Sequence, residues 1–137
     1  MTPYENIYDR FLSKITDYEL KDLIVDSLED AMKQLSKYLR SAIVDFNNCN
    51  VDLSLRDDIS QSFTVQLSDI EEEILANYMV THWLKPQILR LENIRKGLGS
   101  KDFTVFSGAN HLKQLQELKA QLDNDAGKLN LVYYYKM

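Results

Sequence analysis

Residues 68–96 read SDIEEEILANYMVTHWLKPQILRLENIRK, and this stretch decides the fold class. Ser68 and Glu71 stand in the Ser-x-x-Glu spacing of a capping box, in which a hydroxyl and a carboxylate satisfy the unpaired donors of a helix start. The acidic run Glu71–Glu73 then occupies a first turn, where negative charge meets the positive end of the helix dipole. Beyond it Ile70, Ile74, Leu75, Tyr78, Met79, His82, Trp83, Ile88, Leu91 and Ile94 recur at steps of three and four, a wide apolar stripe at helical period. Pro86 lies inside the pattern and predicts a kink, or a break one turn earlier. The glycines of GLGS at 97–100 end the helix.

The same signals recur outward from this segment. Thr2, Pro3 and Glu5 read as a capping box with Pro at the first helical position, opening a helix to about Leu12 with Tyr4, Ile7, Tyr8, Phe11 and Leu12 on one face. Thr16 and Glu19 repeat the spacing. Apolar residues from Leu20 to Phe46 continue the helical period, as one helix or as two, since Asp26 and Ser27 can cap a fresh start. On the far side, Ser107 and Gly108 open a last helix carrying Leu112, Leu115, Leu118, Leu122, Leu129 and Val132.

Residues 47–66 are the least helical part, a long polar middle loop. Within it SFTVQL alternates like a short strand, as does DFTVF at 102–106, and the two would pair as a two-stranded ribbon. The expected architecture is mainly α: one domain over residues 1–137, a bundle of four to five helices, with an extended C-terminal segment near 130–137. Four glycines and two prolines are too few for an all-β chain rich in tight turns.

Composition narrows the function. A net charge of −5 favours solubility and gives no general footprint for nucleic acid. Cys49 is alone, so no internal disulfide forms. The sequence has no apolar run long enough to span a membrane, and MTPYEN lacks the layout of a signal peptide, so synthesis in the cytoplasm is expected.

Catalytic signatures are missing. His82 and His111 fall on different predicted helices with no cysteine pair beside them, so no metal ligand set is expected. There is no nucleophile elbow, and GLGS sits at a helix end rather than before a helix start, where phosphate loops lie. The clustered carboxylates, Asp57, Asp58 and Glu71–Glu73, read as helix-start and loop chemistry. The expectation is a protein that is not an enzyme and takes no cofactor.

Two features stand out locally. Lys85, Arg90, Arg95, Lys96 and Lys101 oppose only Glu92 in residues 85–101. A solvated helix face is the simpler reading; contact with an acidic partner or with passing DNA is the other. The chain also closes on Tyr133, Tyr134 and Tyr135, where ends are usually polar. Tyrosine suits interfaces, because it buries area and keeps a polar handle. A subunit contact and a fold-back onto the domain's own core are equally compatible with the sequence.

Four segments, TPYENIYDRFLSKITDY, DLSLRDD, QLSDIEEEILANYMVTHWLKP and GSKDFTVFSGANHLKQLQEL, together resemble the head–tail connector family of tailed bacteriophages and prophages, also called neck, adaptor or head-completion proteins. The resemblance is one of pattern, from Thr2 to at least Leu118, and includes no catalytic signature. It implies a structural virion protein of the phage neck: a homo-oligomeric ring, commonly twelvefold, between the portal protein and an adjacent neck or tail protein. Such a ring prolongs the DNA channel, DNA being passing cargo, and assembles from subunits in the host cytoplasm. Its heterologous interfaces need apolar patches left over from the core. The candidates are Trp83, Phe103, Phe106 and the terminal Tyr133, Tyr134 and Tyr135. A small helical regulator that binds a single protein partner is the alternative from another class.

Overall fold

A computed structural model describes residues 1–15, 18–98 and 108–135. Among the described residues it is mainly α, with five helices and one small antiparallel sheet. In chain order the elements are β1 (Thr2–Pro3), α1 (Tyr4–Leu12), α2 (Tyr18–Asp26), α3 (Leu28–Asp45), β2 (Arg56–Asp57), β3 (Ser62–Phe63), α4 (Asp69–Leu98) and α5 (Gly108–Tyr135).

Local chemistry explains two of the helix starts. The Ser68–Glu71 box is complete: Glu71 Oε1 accepts from the Ser68 N–H at 2.8 Å and from its hydroxyl at 3.0 Å, while Ser68 Oγ accepts from the Glu71 N–H at 3.3 Å. Ser27 separates α2 from α3, its Oγ accepting from the Asp30 N–H at 3.4 Å, so the stretch up to Asp45 is two helices. The Thr16 signal lies outside the described residues.

The N-terminal capping box does not form. Pro3 is the residue that caps α1, and no side chain caps it. Thr2 is instead fully buried in β1, its hydroxyl donating to the Val65 carbonyl at 3.2 Å and accepting from the Leu67 N–H at 2.8 Å. A buried hydroxyl needs a partner, and the chain 63 residues on supplies two where the helix start offers one.

The expected ribbon is also re-partnered. Ser62 and Phe63 form the central strand of a three-stranded sheet, order β1-β3-β2, with Phe63 opposite Thr2 on one side and Arg56 on the other. Both edges of β3 are therefore occupied, by the N-terminus and by the preceding strand. DFTVF at 102–106 lies outside the described residues.

α4 is the axis of the molecule: 30 residues, about 45 Å at 1.5 Å per residue. It is not broken at Pro86. Proline removes the donor to the His82 carbonyl, but its side is exposed and the facing side of the helix packs on α5. α1, α3 and α5 all pack on α4, and α2 packs on α3. The main core joins Ile7, Phe11, Leu35, Leu39, Phe46 and Phe63 to Ile74, Leu75, Met79 and Leu84.

Past Leu84 the packing changes. Ile88 and Leu112 form a separate small cluster with Leu91, Ile94 and Leu115, made of α4 and α5 residues alone. The C-terminal part of α4 and the start of α5 thus form a two-helix arm on a body built from the remaining elements. At the other end α5 stays helical to Tyr135 where an extended segment was expected. Leu122, Leu129 and Tyr133 continue one helical face onto the core, so the burial of Tyr133 keeps the last turns wound.

Candidate functional site

The terminal tyrosines divide by helix geometry. Tyr133 is 4% exposed and sits edge-on to Phe46, ring centroids 5.4 Å apart. Its hydroxyl donates to Glu71 Oε2 at 2.7 Å and accepts from the Asn50 N–H at 2.8 Å. The Cys49 thiol donates to the same Glu71 oxygen at 3.4 Å. Glu71 therefore joins the start of α4, the end of α5 and the segment after α3 in one buried junction. Tyr134 and Tyr135, each about 100° further round the helix, are 62% and 78% exposed and contact each other edge to face.

The electrostatics of this junction favour structure over reactivity. Burial alone would push the Glu71 carboxyl up, but the hydrogen bonds from Ser68, Tyr133 and Cys49 outweigh it and hold the group below the usual carboxylate range. It is ionised at neutral pH. Burial pushes the Cys49 thiol up to about 11, leaving little thiolate to act as a nucleophile. Tyr133 is raised as well, first by burial and further by its bond to Glu71.

A second polar cluster locks α1 to the first turn of α4. Arg10 reaches Glu73 at 2.8 Å and Asp69 at 3.2 Å, and Lys14 pairs with Glu73. Glu73 is partly buried, which raises its pKa, yet the bonds from Lys14 and Arg10 prevail and lower it. Glu72 goes the other way: burial outweighs the pull of Arg10, and its pKa rises. At the opposite end of the body, His82 contacts Asp45 at 2.5 Å, tying α4 to the end of α3. Among the described residues, no group of three or more His, Cys, Asp or Glu is arranged to hold a metal ion. No described helix is long and apolar enough to cross a membrane.

Of the six expected interface residues, two belong to the protein's own core. Trp83 is 9% exposed and Tyr133 is hydrogen-bonded within the body; both fall on the α4 and α5 faces that meet other helices. Tyr134 and Tyr135 are on the surface, and Phe103 and Phe106 lie outside the described residues.

The structure adds several large apolar residues to the exposed set, Val25, Val44 and Ile59 foremost. Ile59 is 96% exposed at the tip of the β2–β3 turn. That turn is rigidly built: the Ile59 N–H donates to Asp57 Oδ1 at 2.9 Å, and Tyr4 donates to Asp58 at 2.7 Å. Gln61 holds a positive φ of 54°, unusual without glycine, and its carbonyl accepts from the Tyr4 N–H at 2.9 Å. The only hint in the sequence is a lone isoleucine within RDDISQS.

No protein-family model, curated protein or solved structure matches the chain.

Proposed function

We propose that the protein is a non-catalytic assembly subunit, a ring-forming connector of the phage neck that contacts the portal protein and an adjacent neck or tail protein. The observation that carries this reading is where the side chains fall. The candidate polar groups of the body are committed to internal bonds that hold helices together. Large apolar side chains meanwhile stand exposed, among them Ile59 on a hydrogen-bonded turn and Tyr134 and Tyr135 at the end of α5. A preformed turn with an apolar tip suits insertion into a partner, because little conformational entropy is lost on docking.

The pattern resemblance to head–tail connectors supports the choice among assembly proteins. The exposed end of α5 fits contact with a neighbour, and the acidic net charge fits a surface along which DNA slides without sticking. No cofactor enters, and DNA is cargo rather than ligand.

The test is light-scattering mass, first alone and then mixed with the portal protein encoded in the same genome. A large complex of fixed stoichiometry is expected, weakened at least tenfold by Ile59→Ser with Tyr135→Ser. A monomer that ignores the portal would overturn the connector reading in favour of a regulator of one partner.

A further inference from the structure

The charge of this chain is unevenly placed. The described part of the arm, residues 85–98 and 108–119, carries six cations (Lys85, Arg90, Arg95, Lys96, Lys113 and Lys119) against two anions, Glu92 and Glu117. Its net charge is thus +4, and subtracting that from the chain's −5 leaves −9 on the remainder. The basic arm also has an apolar surface: Ile88 and Leu89 floor a depression of about 250 Å³ between Lys85 and Lys119, and Leu89 is 57% exposed.

The body carries a counterpart. Leu12, Ile24, Leu28 and Met32 line a groove of about 350 Å³ between α1, α2 and α3, with Glu5 and Asp9 on its rim. It continues past Glu29, which is paired with Lys33, to Gln61 of the β2–β3 turn. β3 leads directly into the N-terminal end of α4, whereas the arm is the C-terminal end of the same 30-residue helix. Groove and arm therefore lie at opposite ends of α4, and one chain cannot place its arm in its own groove.

We propose that the groove receives the basic arm of a second copy of this chain, Lys85 facing Glu5 and Asp9 while Leu89 enters between Leu28 and Met32 and Lys96, about three turns on, adds to the arm's positive field. The contact joins two different patches, so it propagates from copy to copy as a ring or filament requires. It rests on the assembly reading above and specifies its subunit interface. The apolar floor between the lysines favours a protein partner over nucleic acid, whose backbone offers it nothing to bury. Lys85, Leu89 and Lys96 share one helix face, being four and eleven residues apart.

The experiment is sedimentation velocity of the full chain over a concentration series at low salt, with charge-reversed variants. Wild type is expected to self-associate, and association should weaken on the order of tenfold or more in high salt. Lys85→Glu with Lys96→Glu, or Glu5→Lys with Asp9→Lys, should each weaken it at least tenfold. An equimolar mixture of the two variants should restore it, as should all four substitutions in one chain, which shows that neither variant is merely misfolded. A wild type monomeric at every concentration, or variants that associate like wild type, would overturn the contact. So would loss of DNA binding in the arm variant with association unchanged, since the arm would then be a nucleic-acid surface. Portal binding is scored separately: a wild type that forms this contact yet ignores the portal sinks only the connector reading, and the converse sinks only this contact.

Discussion

Replacing Tyr133 by phenylalanine removes one oxygen and leaves the ring on Phe46. That oxygen donates to Glu71 at 2.7 Å and accepts from the Asn50 N–H at 2.8 Å. A hydrogen bond to a charged group contributes roughly 1.5–3 kcal/mol and a neutral one roughly 0.5–1.5 kcal/mol. Both sums are reduced here, because Ser68 and Cys49 still bond to Glu71 and Asn50 is exposed enough for water to replace its partner. The expected loss is about 2 kcal/mol at neutral pH, or a fall of roughly 6–8 °C in Tm for a chain of this size.

The pH dependence discriminates further. The folded-state pKa of Glu71 is depressed, so its contribution is present above the unfolded carboxylate range and is lost as pH falls through the folded value. Tyr133→Phe removes one bond that depresses it. The difference between variant and wild type should therefore be largest near neutrality and shrink below about pH 4. Glu72, whose pKa is raised, works in the opposite direction but is common to both proteins and cancels in the difference. Urea unfolding followed by circular dichroism at both pH values measures this. A loss under about 0.5 kcal/mol at neutral pH, or a gap that widens in acid, would refute the account of the junction.

Ser68→Ala should cost about 1 kcal/mol by opening the α4 cap, read as a lower urea midpoint with unchanged slope. Gly127→Ala should stabilise α5 by up to about 1 kcal/mol, since Gly127 lies in a helix and an added Cβ meets nothing within 4 Å; a lower Tm would argue against that helix. Cys49 should react slowly with thiol reagents near pH 8 and faster as pH rises towards about 11, provided the fold persists; fast labelling at neutral pH would contradict its burial.

Three helix starts are read from capping spacings, at Thr2, Thr16 and Ser68, with Ser27 an open fourth; Thr16 lies outside the described residues. Ser68 caps as read, and Ser27 turns out to cap where the sequence left one helix or two open, because each hydroxyl meets a donor three residues away. Thr2 carries the same local signal but is taken by Val65 and Leu67. Ile59 shows the converse: its local context is polar, and only the fold of the turn makes it an exposed apolar tip.

What the sequence by itself determined was set within about four residues: the helical period of α1, α3, α4 and α5, the cap at Ser68, and the helical class. Hydrogen bonds and side-chain faces at that range follow from backbone geometry alone. What only the tertiary structure decided is everything set by partners far along the chain. Whether Tyr133 or Tyr135 is buried depends on the rotation of α5 against α4 and on Glu71, 62 residues away. The partner of β3 depends on where the N-terminus returns, and the division of α4 into body and arm depends on where α1 and α3 stop packing against it. Both halves of α4 carry the same apolar period, and no local spacing records which half packs against three helices and which against one.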